Sequence, residues 1–324
     1  GQIDVLAVSG SAALNGTLNV SYLGGYVPGA GATHPVMTYA SRTGTFATIN
    51  DAQSQTAIYG ATSFSLASVG SGVLWDGGAS TFNWIDALNW STNALPVSTQ
   101  DVTISALGSP VTLSSGAQSI SSLASDANLI VSGGSLTMAN PSTINATLTV
   151  SGGTVNANGG LTTNGLNVSS GTLSGLGNLV VNNSFTQSGG TISGFSLLDI
   201  THSSGNLTFG APLNIQALTA RAVAGNVDFA SPVTLSGALS VTAAGAITQA
   251  SPLVVAGSSS FSAGANSITL TDSGNDFTGA VSLNNSGANN VAVTDANAIV
   301  LGTSSVGSGT LIVTAGGAIT QTGP

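Results

Sequence analysis

From residue 101 onward the chain alternates short apolar runs with small polar corners. LIV ending at Val131, LTV ending at Val150 and LNV ending at Val168 each lead into a glycine word: SGGSL at 132–136, SGGTV at 151–155 and SSGTL at 169–173. A fourth word, SGGTI at 188–192, follows FTQ, and the offsets between the four are 19, 18 and 19 residues. Alternation of period two over a few residues predicts strands buried on one side, and glycine supplies the positive φ of a corner. The beat continues in other words: Gly225, Val227, Ala230, Ser231, Pro232, Val233 and Leu235 match Gly245, Ile247, Ala250, Ser251, Pro252, Leu253 and Val255 at an offset of 20. A strand, a corner and another strand in each such period are what one coil of a β-solenoid requires. Rungs of roughly 20 residues across 101–324 give about eleven coils, and ~4.8 Å between paired strands makes a rod on the order of 50 Å long.

A longer period lies over the short one. VTAAGAITQ at 241–249 returns as VTAGGAITQ at 313–321, an offset of 72, which predicts a larger repeat of three or four rungs. Asn-Gly pairs at Asn15, Asn158 and Asn164 supply turn chemistry for corners or hairpins. The sequence closes on GGAITQTGP, with no polar cap over the last rung. An open edge invites strand pairing, so further chain or another subunit is expected to cover it.

Residues 1–70 read differently. Leu18, Val20 and Tyr22, then Val36 to Tyr39, then Phe46 to Ile49, mark period-two strands around a Pro-Gly-Ala-Gly loop, and all four tyrosines fall by Tyr59. This segment is either β-sandwich-like or the closing turns of a preceding solenoid. Past a Gly/Ser step at 68–72, Trp75, Trp84 and Trp90 crowd every tryptophan of the chain into 16 residues. The division expected is a β-rich segment at 1–70, a Trp-rich junction or plug at 71–100 and the solenoid at 101–324.

Composition narrows the picture. Charged residues make up 4% of the chain, two arginines and eleven aspartates, against about 25% in an ordinary soluble domain. Lysine and glutamate, both good helix formers, are absent, while 44 glycines and abundant Ser, Thr, Asn and Val favour turns and strands. The fold class predicted is therefore all-β: a parallel β-solenoid with an N-terminal β-rich junction segment. A formal net charge of −9 leaves no basic patch for phosphates, so neither nucleic acid nor anionic lipid is expected as a partner. No apolar run approaches the ~20 residues of a membrane-spanning helix, so no membrane insertion is expected in this segment.

Candidate chemistry is sparse. His34 and His202 are far apart in the sequence, and the aspartates are spread almost evenly. The densest acidic spot is Asp272 and Asp276 in DSGND with Asp295 a rung away, and the two aspartates of DSGND could offer oxygens to Ca²⁺. It lacks the nonapeptide and EF-hand spacings, so turn capping is the preferred reading and no metal or cofactor is assigned. GLGN at 175–178 has neither a third glycine nor a following helix, and reads as a turn. The tryptophans could form a sugar-stacking platform, but a plug over a core of small aliphatics is preferred. Phe185, Phe195, Phe209, Phe229, Phe261 and Phe277 read as core filling. Ser135, Thr154, Thr172 and Thr191 fall at one place in successive rungs and should form a ladder of hydroxyls. The alternative function weighed is a carbohydrate-active β-helix enzyme, hydrolase or lyase, using two aspartates across a cleft. With no lysine and one arginine in the solenoid, the expectation is a protein that is not an enzyme.

Particular words carry a family resemblance. WDGG at 75–78, NW at 83–84, NWSTNALP at 89–96 and the following DVTI resemble the opening of β-helical passenger regions in large bacterial surface proteins of the autotransporter and filamentous-haemagglutinin-like type. GTLNVSYLGGYVPGAG followed by TYASRTGTFATI resembles a segment that ends a unit in such proteins. GNDFTGAVSLNNSGANNVAVTDANAIVLGTSSVG is similar to tandem arrays in giant secreted adhesins. The resemblance implies a right-handed parallel β-helix, an extracellular or bacterial cell-surface location, and an adhesive or scaffolding role. The implied partners are copies of itself or adjoining repeats end to end, with surface glycans as a further candidate. Here the unit end precedes the unit start, which departs from an isolated passenger and suggests a piece of a tandem array or filament.

Overall fold

The computed structural model describes residues 5–21, 33–51, 55–67 and 72–323. Tyr22, the Pro-Gly-Ala-Gly loop and most of the Gly/Ser step at 68–72 lie outside the described residues. The chain forms two compact units: Gly1–Val73 with Thr99–Asp101, and Leu74–Ser98 with Val102–Pro324. Both are built from strands. One turn of 3₁₀ helix at Ala87–Asn89 interrupts the second unit.

In the first unit, β1 (Leu6–Ala7), β2 (Ser11–Leu14) and β3 (Thr17–Val20) form one coil. A second coil, β4 (Thr33–Thr38), β5 (Ser41–Gly44) and β6 (Thr48–Asp51), stacks on it in parallel, with Leu6 against Met37, Ser11 against Ser41 and Thr17 against Thr48. These pairs are parallel, the sense in which the coils of a solenoid stack. The stacking then changes sense. The hairpin β7 (Thr56–Tyr59) and β8 (Ser63–Ala67) lies antiparallel on β4, in the order β1-β4-β8-β7. Ala12, Leu14, Tyr39, Phe64 and Leu66 are the buried core of this unit.

The second unit is a parallel β-solenoid of about eleven coils. One column of inward side chains runs Val111, Leu129, Leu148, Leu166 and Phe185. After the bridge between Gln187 and Phe209 it resumes as Leu207, Val227, Ile247, Ile268, Val291 and Leu311. A second face stacks Leu136, Val155, Leu173 and Ile192, then Leu213, Val233 and Leu253. A third stacks Leu161, Leu179, Leu198, Leu218, Leu239, Ser259 and Val281. The strands expose one residue and bury the next: along Leu239–Ala243, Leu239, Val241 and Ala243 are buried while Ser240 and Thr242 are exposed. The glycine words fall into register, with Ser135 against Thr154, Thr172 against Thr154 and Thr191 against Thr172. A Cβ on Gly134 would meet the Gly116 carbonyl oxygen at 2.1 Å, and Gly134 also has a φ of +66°. Only glycine fits a corner that tight.

The 72-residue period is not a whole number of coils. Val241 shares its column with Phe261 and Leu283 on the third face. Val313, the matching residue of the second copy, stacks on Val293 and Leu270 on the first face. Ile247 lies on the first face, and its counterpart Ile319 stacks on Ile299 in the next strand along, in the sheet that carries the second and third faces. The repeated words thus advance by three coils and one strand, where three or four whole rungs were expected. The slip is tolerated because each face asks the same of the sequence: two or three alternating residues, then a small corner.

Candidate functional site

The three indoles pack together at the start of the second unit. Trp90 meets Trp75 and Trp84 edge to face, at 4.9 and 4.8 Å between ring centroids. Its indole N–H donates to the Trp84 carbonyl at 2.9 Å. Asn83 bridges in parallel to Thr112, and the Trp84 N–H donates to the Thr112 carbonyl. The strand Val111–Leu113 is thereby met by the tryptophan segment, and the Trp75 N–H likewise donates to the Thr103 carbonyl. Trp84 and Trp90 are completely buried and Trp75 nearly so. A sugar stacks on an accessible ring face, and these rings present none. Asn89, also buried, ties the loop by donating to the Thr81 hydroxyl and the Asn83 carbonyl, while its Oδ1 accepts the Ala79 N–H.

DSGND is resolved into three separate tasks. The Asp272 carboxylate accepts the Gly274 N–H at 2.8 Å, closing a turn. Asp276 lies in the strand Asp276–Phe277 opposite Val254. The residue between them, Asn275, is completely buried and is the one that matters most to the packing. Its Oδ1 accepts from Gln249 Nε2 at 2.8 Å and from the Leu253 N–H at 2.9 Å. Its Nδ2 donates to Gln249 Oε1, the Leu270 carbonyl and the Thr294 carbonyl. Three consecutive coils of the first face and one strand of the second are thus fastened to one amide. Next to it, buried Asp295 accepts the Phe277 N–H at 2.9 Å and the Asn297 N–H at 2.7 Å. Its carboxylate stands in for a backbone partner on the second face. Reading DSGND for its two aspartates passed over the asparagine; the available signal was a polar residue falling in the inward column of Val233 and Leu253.

Other aspartates are similarly engaged in local structure. Asp199 pairs with Arg221 at 3.0 Å, Asp228 accepts from Thr248, Asp126 accepts from Asn145 and Asp86 accepts from Thr81. His202 Nδ1 accepts the Phe185 N–H. Among the described residues no three His, Asp or Glu side chains converge as a metal site would require. No helix among them is long and apolar enough to cross a membrane. The outward polar columns bond along the rod, with Asn156 Nδ2 donating to Thr137 Oγ1 and the Ser174 hydroxyl donating to Asn156 Oδ1. GLGN forms a corner: a Cβ on Gly177 would strike the Gly160 nitrogen at 2.8 Å. The six phenylalanines are all buried, and Phe209 and Phe229 stack within 7° of parallel at 5.1 Å.

Residues 216–284 and 288–324 each match the family described as repeats of unknown function (DUF5649). This is a repeat array. The two matches begin 72 residues apart, the same offset that separates the two GAITQ words, and together they cover about a third of the chain. No curated protein and no solved structure matches. The DUF5649 period, like the words within it, therefore spans three coils and one further strand of the solenoid.

Proposed function

We propose that this chain is a structural and adhesive segment of an extracellular fibre or bacterial surface protein, in which such repeats continue end to end or associate with other copies. The observation that carries the reading is the parallel stack that runs unbroken from Leu207 to Leu311, whose sequence repeats without needing to restart the coil. A rod of this kind lengthens by adding repeats, and its stability sums over neighbouring rungs. Its polar side chains are spent on bonds between rungs and on turns, which suits a scaffold better than a catalyst. In this reading the protein is not an enzyme, and any glycan contact is made by the Ser/Thr/Asn faces.

Electron microscopy of the purified chain, beside a longer version with one further 72-residue repeat, tests the structural claim. Each added coil should lengthen a slender particle by ~4.8 Å at constant width. Particles that thicken instead would refute it. Antibody labelling of intact producing cells tests the location, and labelling seen only after lysis would remove the surface role. Turnover of any member of a polysaccharide panel would overturn the non-catalytic reading.

A further inference from the structure

We propose that Asn15 is a site of self-modification, where the Gly16 backbone nitrogen attacks the Asn15 carboxamide and water completes the conversion to aspartate or isoaspartate. The Gly16 N–Cγ bond forms, the Cγ–Nδ2 bond breaks, and the amide proton leaves with Nδ2 as ammonia. Water then adds across one of the two carbonyl–nitrogen bonds of the succinimide. Nothing is oxidised or reduced, and water is the only co-reactant.

The geometry places the reacting groups together. Asn15 and Gly16 are exposed at the corner between β2 and β3, and the Gly16 N–H donates to Asn15 Oδ1 at 2.8 Å. The nitrogen is therefore held 2.8 Å from an oxygen that is bonded to the carbon it must attack, and the hydrogen bond polarises that carbonyl. Gly16 has a φ of +72°, and nothing lies within 4 Å of where its Cβ would stand, so the five-membered ring has room to close. The Gly16 carbonyl accepts the Ala47 and Thr48 N–H groups. Holding that end of the peptide keeps the nucleophile beside its target.

The chain's other candidate pairs lack one or more of these features. Gly159 is wedged against the previous coil, where a Cβ would meet the Asn140 carbonyl carbon at 2.2 Å. Asn164 and Gly165 lie inside the strand Leu161–Ser174, with Gly165 buried between Thr147 and Ser184 of the adjoining coils. At Asp76–Gly77 the Gly77 N–H is committed to the Asn89 carbonyl. Closing a ring at any of these three would first require the coil to open locally. At Asn15 the isoaspartyl product adds a backbone methylene between Leu14, which pairs with Gly44, and Thr17, which pairs with Thr48. The modification therefore strains the register of the first unit while leaving the solenoid of the second untouched.

The sparse charge supplies the assay. Arg42 and Arg221 are the only tryptic sites, so digestion yields peptides 1–42, 43–221 and 222–324, with Asn15 in the first and the other two Asn-Gly pairs in the second. Folded and denatured samples of the whole chain are aged in mildly alkaline buffer, digested and weighed, and the modified residue is located by fragmentation. In the denatured sample 43–221 should convert faster, since it holds two of the three pairs. In the folded sample the order should reverse, with 1–42 at least about tenfold ahead, because ladder-held amides react only through local opening. Folded protein in which 43–221 keeps pace, or in which 1–42 stays unchanged while the denatured sample converts, overturns the proposal. An Asn15→Asp chain provides the mass and retention standard for the product.

Discussion

The two units stack strands in the same parallel sense but finish their coils differently. The second unit repeats its three faces with little besides Val, Ile, Leu, Phe and Ala inside, and side-chain bonds between rungs outside. The first stacks two coils, at offsets of 30 and 31 residues against 18 to 23 in the second unit, and then turns to an antiparallel hairpin. Closing that hairpin calls on tyrosine hydroxyls, which the second unit lacks, and on an arginine. The Tyr39 hydroxyl donates to the Ser63 carbonyl at 2.6 Å, the Tyr59 hydroxyl accepts the Phe46 N–H, and Arg42 lies 5.0 Å from the centre of the Tyr59 ring. A continuing stack satisfies each backbone group with the next rung. A stack that changes direction has to find polar side chains for the groups left over.

The strongest challenge to this contrast is to remove pure packing from the second unit. Phe209→Ala leaves a cavity between Phe185 and Phe229 and should cost about 3–5 kcal/mol. Denaturant unfolding followed separately in each unit, by tryptophan for the second and tyrosine for the first, should show the loss in the tryptophan transition alone. Equal shifts in both would mean that the units unfold as one. Asn275→Ala ranks next at about 3 kcal/mol, because it strands several buried donors and acceptors at once. Hydrogen exchange should then accelerate at Leu253, whose amide loses its acceptor. Unchanged exchange there would show that the amide is not what holds these coils.

The solenoid was legible because its constraints are local and repeated. A residue such as Val150 must be apolar, must alternate and must precede a corner, and the words around it state all three. The column Ser135, Thr154, Thr172 and Thr191 could be read across rungs for the same reason. The slip of the 72-residue period could not, since a word that fits the third face at Val241 fits the first equally well at Val313. Asn275 was hidden by its neighbours: its role depends on Gln249 and Thr294, which meet it only after the coil has closed. The hairpin of the first unit was equally obscure, because Ser63–Ala67 alternates like any other strand and its antiparallel sense is set by the turn that precedes it.

Arg42 offers the sharpest test of how the first unit closes. It donates to the Gly44 carbonyl at 2.7 Å and to the Tyr59 and Gly60 carbonyls at 3.3 and 3.4 Å, bridging the second coil to the hairpin. Arg42→Ala should destabilise the first unit by about 2 kcal/mol, since charge-assisted bonds are lost along with the contact to Tyr59. A tyrosine-monitored transition that does not move would show that the hairpin closes without it. Gln187 is a smaller liability of the second unit. It sits in an inward column between Val168 and Phe209, 2% exposed, and neither amide atom has a hydrogen-bond partner. Gln187→Met should raise the stability of that unit by about 1–2 kcal/mol, seen as a higher melting temperature. A lower melting temperature would mean that the amide is satisfied in solution.

The smallest effect belongs to the other arginine, and it completes the comparison. Arg221 reaches across one rung to Asp199, but its side chain is 48% exposed and that of the aspartate 32%. Water and salt screen such a pair, and holding two side chains in one geometry costs rotamer entropy, so its worth is below about 1 kcal/mol. The strands on which the two residues sit are already paired from Leu198–Leu218 to His202–Ala222. Arg221→Gln should therefore leave the tryptophan transition almost unmoved, and raising the salt concentration should abolish whatever difference remains. A loss as large as that of Arg42→Ala, persisting in high salt, would contradict the division drawn between the units. A continuing stack would then depend on its one cation as much as the stack that turns back.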